Sequence, residues 1–136
     1  MYQFETKIRV RYAETDQMGF VYYGHYFTYF EVARVESLRA MGYAYKELEA
    51  EGIMLPVLEQ HIKYHLPATY DELLTIKACI KQMPSVRMVF EYECFNEKEE
   101  LINTAETVLV FMNKKTGKPT RPPQRMIELL EPFFTT

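Results

Sequence analysis

Residues 12–39 read YAETDQMGFVYYGHYFTYFEVARVESLR, and this stretch decides the fold. An acidic pair, Glu14 and Asp16, brackets Thr15, and Gly19 follows. Beyond Gly24 the apolar and aromatic positions Tyr26, Phe27, Phe30, Ala33, Leu38 and Met41 recur at helical spacing. Thr28, Glu31, Glu36 and Arg39 take a narrower polar side, which Val32 and Val35 interrupt. A helix apolar nearly all round is normally buried. The stretch therefore predicts a central helix, covered by something large, with an acid just before its first turn.

The segments on either side predict what covers it. Met1 to Tyr12 alternates Phe4, Ile8, Val10 and Tyr12 with Glu5, Lys7, Arg9 and Arg11, which is the pattern of a half-buried strand. Gly42 closes the helix, and Tyr45 to Glu51 is a short charged helix stopped by Gly52. Strands are expected at Ile53–Tyr64, with Pro56 at a bulge or edge, and at Leu73–Gln82, Val86–Phe95 and Leu101–Met112. Turns fall at Leu66–Asp71, Met83–Ser85, Asn96–Glu100 and Asn113–Pro119. The proline pair at Pro122 opens a short C-terminal helix running to Leu130. Strands joined in series by tight turns pair antiparallel, so the fold class is α+β with one sheet against one long helix.

The chain of 136 residues is long enough for one domain, 1–136, with a full core, and 48% hydrophobic residues argue against disorder. A net charge of −3, mixed in sign along the chain, gives no electrostatic case for nucleic acid. No run approaches the ~20 apolar residues needed to span a bilayer, and no leader is visible. Cys79 and Cys94 have no metal-ligand spacing and read as buried free thiols, as expected for the cytoplasm. His25, His61 and His65 make no metal site on one element, so neither metal nor cofactor is expected.

Two motifs carry a resemblance. Tyr12, Glu14, Thr15, Asp16, Gly19, Val21, Tyr22, Tyr23 and Tyr26, followed by Glu31, Ala33 and Arg34, form the first; Pro67 to Leu73 (PATYDEL) forms the second. In both, the chain resembles hotdog-fold acyl-CoA thioesterases of the 4-hydroxybenzoyl-CoA thioesterase type, including the Tol-Pal-associated bacterial enzymes. The resemblance implies an antiparallel sheet wrapped around a long central helix. It implies that Asp16 is catalytic and that the Tyr23 backbone N–H polarises the thioester carbonyl. Tyr22 and Gly24 beside it are then expected to contact substrate. Some members carry histidine where this chain has Tyr23. In the aromatic-acyl member a basic cluster before the third strand contacts the CoA phosphates; here that region holds one arginine, Arg87. The resemblance also implies a homodimer or homotetramer, with Leu55 and Val57 facing the partner's helix start.

The chemistry is sufficient on its own terms. A thiol leaves readily as thiolate, since its pKa is about 8.5. One carboxylate, as nucleophile or as base for water, and one oxyanion site then suffice. N–H groups at a helix N-terminus supply the second, each well-placed donor being worth about 3–4 kcal/mol. Two other readings stay open: a thioesterase acting on acyl carrier protein conjugates, and a non-catalytic acyl-CoA-binding module. Glu14 reads as structural, Glu31 as an intrahelical partner of Arg34, and the Lys114, Lys115 and Lys118 turn as solvated.

Overall fold

The computed structural model describes residues 1–135. The elements run β1 (Tyr2–Arg9), α1 (His25–Met41), α2 (Tyr45–Ala50), β2 (Ile53–Met54), β3 (Val57–Tyr64), β4 (Leu73–Ile80), β5 (Arg87–Phe95), β6 (Leu101–Val110), β7 (Met112–Asn113) and α3 (Gln124–Leu130). Five strands form one antiparallel sheet in the order β1-β4-β5-β6-β3, and β2 pairs with β7 apart from it.

The period-two pattern decides which sheet face meets α1. Leu74, Ile76, Ala78 and Ile80 of β4 and Met88, Phe90, Tyr92 and Cys94 of β5 are all buried. From α1 they receive Tyr26, Tyr29, Phe30, Ala33, Ser37 and Leu38, a stripe at helical spacing. Phe30 stacks on Tyr92 with centroids 4.5 Å apart. Burying each such side chain contributes about 1.5–3 kcal/mol, so this contact dominates the stability of the domain. Gly42, at φ 101°, ends the helix in the left-handed conformation that glycine adopts without strain.

Five expectations are corrected. The helix is not enclosed all round: Thr28, Glu31 and Val32 face outward, Val32 at 41% exposure, because the sheet covers one side only. Tyr12 is 77% exposed, since β1 ends at Arg9 and the chain turns before Tyr12. Pro56 divides the expected Ile53–Tyr64 strand into β2 and β3, and Phe111 divides the last strand into β6 and β7. Proline offers no N–H to a ladder, so the chain changes sheets there. Cys94 is fully buried, but Cys79, on the opposite face of the sheet, is only half-buried.

Candidate active site

The acidic stretch folds as a small hairpin. A 3-10 turn at Tyr12–Glu14 leads into it. Thr15 then pairs with Val21, the Tyr22 N–H donates to Glu14 C=O at 2.9 Å, and the Asp16 N–H donates to Phe20 C=O at 2.8 Å. Gly19 makes the reversal at φ 82°. The hairpin docks on the second motif: Phe20 pairs with Thr69, and the Val21 N–H donates to Ala68 C=O at 2.8 Å. The two sequence motifs thus meet in space.

Asp16 sits half-buried at the hairpin's bend. Its Oδ1 accepts the N–H groups of Met18 at 2.9 Å and Phe20 at 3.3 Å. Those bonds fix the carboxylate's orientation and leave Oδ2 without a hydrogen-bond partner among the described residues. The aspartate caps its turn and still presents an unused oxygen. Asp16 stands two residues from the Glu14–Tyr22 rung, roughly 7 Å along the strand direction, at the bend of the hairpin whose other end leads into α1.

Glu14 behaves differently. It is 4% exposed and fully engaged. Oε1 accepts the Arg11 N–H and the Tyr29 hydroxyl, both at 2.8 Å, and Oε2 accepts Arg11 Nη2 at 3.0 Å. Burial pushes its pKa up, but the donors from Arg11 and Tyr29 outweigh that and hold the carboxyl below the usual range. Burial first, and then Glu14, push the Tyr29 phenol up. Glu14 is a tie between hairpin and helix.

At the start of the helix, His25 N–H donates to Tyr22 C=O at 2.9 Å, closing a turn over Tyr23 and Gly24. The Tyr23 and Gly24 N–H groups donate to nothing among the described residues. They lie at the positive end of a 17-residue helix. The Tyr64 hydroxyl, at the end of β3, donates to Tyr23 C=O at 3.1 Å. Tyr22 and Tyr23 pack with ring centroids 4.5 Å apart, and both are exposed. A Cβ at Gly24 would meet Tyr22 Cε2 at 2.8 Å, so the tyrosine ring lies over the backbone there.

Tyr22, Tyr23 and Gly24 lie together at the start of α1, Asp16 lies at the bend of the hairpin that leads there, and Leu55, Val57 and Arg87 lie elsewhere. Leu55 and Val57 border a cavity of about 270 Å³ whose wall includes Glu31, Arg34 and Leu38 of α1. Leu38 lies roughly 22 Å along the helix axis from Tyr23. Arg87 is exposed and pairs with Val110, next to the Val57–Leu109 rung. The predicted residues therefore fall into two groups, and β3 runs from the second, at Val57, to the helix start, where Tyr64 meets Tyr23.

The expected Glu31–Arg34 ion pair is not formed; Arg34 Nη1 instead donates to the Tyr92 hydroxyl at 3.1 Å. Tyr92 lies in the core beneath the helix, so the guanidinium turns inward toward a buried hydroxyl. Tyr29 and Tyr64 went unnoticed in the sequence. For Tyr29 a signal was present: a tyrosine on the buried stripe of a helix needs a partner for its hydroxyl. Tyr64 gave none, because its partner is a backbone carbonyl 41 residues away. Among the described residues no three His, Cys, Asp or Glu side chains are placed to hold a metal, and no helix is long and apolar enough to cross a membrane.

An antiparallel five-stranded sheet packed on one long helix is the hotdog arrangement. The chain belongs to the Thioesterase-like superfamily, whose family model matches residues 10–130. It is 33% identical over 119 residues to the putative acyl-CoA thioesterase YneP of Bacillus subtilis, spanning 88% of this chain and 86% of that one. It is 32% identical over 124 residues to the acyl-CoA thioester hydrolase YbgC of Escherichia coli O157:H7, spanning 91% and 92%. The crystal structure of a DHNA-CoA thioesterase from Staphylococcus aureus superposes with a TM-score of 0.88 at 34% identity, covering 100% of this chain and 97% of that one.

Proposed function

We propose that this protein hydrolyses acyl-CoA thioesters to the free acid and CoA, with Asp16 as nucleophile or as base for water. The observation that supports the reading is that one short stretch, Asp16 to Gly24, holds both a free carboxylate oxygen, Asp16 Oδ2, and two unused N–H groups, those of Tyr23 and Gly24 at the start of α1. The N–H groups receive the negative charge that develops on the thioester oxygen, where each is worth about 3–4 kcal/mol in the transition state. The thiolate leaves without a general acid. The reaction as drawn uses side chains and backbone alone, with no cofactor.

The two clusters support a dimeric working form. β3 is an exposed sheet edge carrying Val57, Leu58 and Tyr64 at 41–47% exposure. Antiparallel pairing of two copies of β3 about its centre brings the Val57 end of one against the Tyr64 end of the other. Leu55 and Val57 then wall the partner's site, and Arg87 lies at the same end for the nucleotide part of CoA. Pairing also removes the open edge.

Steady-state hydrolysis of a panel of short, long and aromatic acyl-CoAs tests the reading. The wild type turns over at least one class, and Asp16→Asn lowers kcat/KM by about 10³-fold or more. Equal rates for the two proteins overturn the role of Asp16; no turnover of any thioester favours a binding module. A second reading, acyl carrier protein conjugates as substrate, is favoured by the exposed Lys114, Lys115 and Lys118 turn, which suits an acidic carrier. Faster turnover of the carrier-bound acyl group would select it.

A further inference from the structure

The two unused donors at the start of α1 are held in different ways. A backbone N–H shares a rigid plane with the carbonyl that precedes it and points the opposite way. Anything that grips the carbonyl therefore aims the N–H. The Tyr22 carbonyl is gripped by His25 N–H at 2.9 Å, a bond made within the turn itself, and this aims the Tyr23 N–H. The Tyr23 carbonyl receives the Tyr64 hydroxyl at 3.1 Å, from a strand on the far side of the sheet order. That bond aims the Gly24 N–H.

We propose that Tyr64 is a positioning residue for thioester hydrolysis: its hydroxyl holds the Tyr23–Gly24 peptide so that the Gly24 N–H is a second oxyanion donor. The inference rests on the hydrolytic reading above and adds a residue to it. Tyr64 touches no reacting atom; it acts through the peptide. Donation to the carbonyl also polarises the peptide and strengthens its N–H as a donor.

The surroundings fit this role. Tyr64 is the last residue of β3 and pairs with Asn103, which fixes its backbone. Its ring meets Tyr26 at 5.9 Å and Tyr23 at 6.4 Å, so the hydroxyl approaches along a path set by packing. Gly24 has no side chain to shield its N–H, and its φ of −68° is an ordinary value. Glycine here serves access, not unusual backbone geometry. At 46% exposure, Tyr64 is not needed to fill the core, and its ring contacts survive loss of the hydroxyl.

Tyr64→Phe separates the hydroxyl from the ring. Relative to wild type, kcat falls about five- to tenfold, KM stays within about twofold, and the melting temperature stays within about 2 °C. In amide spectra of ¹⁵N-labelled protein, the Gly24 resonance moves and that of Tyr23 stays in place. Tyr64→Leu, which also removes the ring contacts, lowers the melting temperature as well. An unchanged kcat in Tyr64→Phe, with Asp16→Asn inactive, overturns this inference alone. A fall in kcat that comes with a matching loss of stability, or an unmoved Gly24 resonance, makes Tyr64 merely structural and overturns it too. A wild type that turns over no thioester overturns the hydrolytic reading and takes this inference with it.

Discussion

The Tyr29 hydroxyl donates to Glu14 Oε1 at 2.8 Å, joining the second turn of the central helix to the acidic hairpin that precedes it. Both groups are buried, Tyr29 at 1% exposure and Glu14 at 4%. Their bond keeps the hairpin, and Asp16 with it, seated at the helix start. Removing one partner leaves the other buried and unsatisfied, which costs more than the bond itself contributes. Glu14→Ala should therefore destabilise by about 2–3 kcal/mol, or a drop in melting temperature on the order of 10 °C. Tyr29→Phe should cost about 1–2 kcal/mol. The double variant should cost less than the sum, because the second deletion removes a group already orphaned. Urea titrations of the four proteins check this, and strict additivity would show that the two side chains are not coupled.

The same carboxylate gives the protein an acid dependence. Burial works to raise the Glu14 pKa, but the Arg11 and Tyr29 donors prevail and the folded value lies below the ordinary one of 4.5. On acidification the unfolded chain then takes up the proton first. The stability conferred is complete above about pH 4.5 and is lost as pH falls through the folded pKa. Glu14→Gln removes this ionisation. The gap in urea midpoint between wild type and Glu14→Gln should be constant from pH 7 to about pH 5 and shrink below that. A gap that stayed constant down to pH 3 would contradict the assigned shift.

What the sequence disclosed follows from the range of the interactions involved. The helix limits at Gly24 and Gly42, and the buried faces of β4 and β5, are set by local periodicity and, at Gly42, by a residue of special backbone freedom, so they can be read in a short window. That an acid, Asp16, precedes the helix by a few residues could be read as well, since both fall in one short window. The hairpin that seats it could not, since its pairing depends on Ala68 and Thr69 about fifty residues away. The Glu31–Arg34 spacing suited an ion pair, but a buried Tyr92 hydroxyl across the core took the guanidinium instead. Nor could a one-chain pattern tell that Tyr12 leaves the sheet, because β1 ends where its antiparallel neighbour β4 begins, at the Arg9–Leu73 rung.

Gly24 offers a test of the crowded helix start. Its backbone angles suit alanine, so Gly24→Ala should fold with a melting temperature within about 2 °C of wild type. The new methyl would meet Tyr22 Cε2 at 2.8 Å and must push that exposed ring aside. A displaced Tyr22 and a shielded N–H should together lower kcat/KM by about tenfold on a good acyl-CoA substrate. Retained activity would show that neither the Tyr22 ring nor open access at Gly24 matters to catalysis.

The two cysteines report on the two faces of the sheet. Cys94 is fully buried under the helix start, and burial pushes its thiol up to about 12. Cys79 is half-buried on the outer face, and burial raises its pKa too. The thiolate is the reactive form, so Cys94 should be inert in the folded protein and Cys79 should react slowly. Mass spectrometry after treatment with iodoacetamide at pH 8 should find one label, on Cys79, and a second only after denaturation. Label on Cys94 under native conditions would mean that α1 opens from the sheet.

The edge strand β3 carries the last prediction. Its residues are exposed almost throughout, and its two ends belong to separate clusters of candidate site residues. A lone copy would leave Leu58 in water at 47% exposure and an open row of backbone groups beside it. Sedimentation of the wild type should therefore give a dimer or a larger even assembly. When two copies of β3 pair antiparallel about its centre, position 58 of one faces position 63 of the other, which is Lys63, so Leu58→Lys sets like charges opposite each other at two places on the shared edge. The variant should sediment as a monomer, keep its helix and sheet by circular dichroism, and lose most of its activity, because Leu55 and Val57 no longer reach the neighbouring helix start. An active wild-type monomer would refute the shared site outright. A monomeric Leu58→Lys with full activity would show that each chain completes its own site.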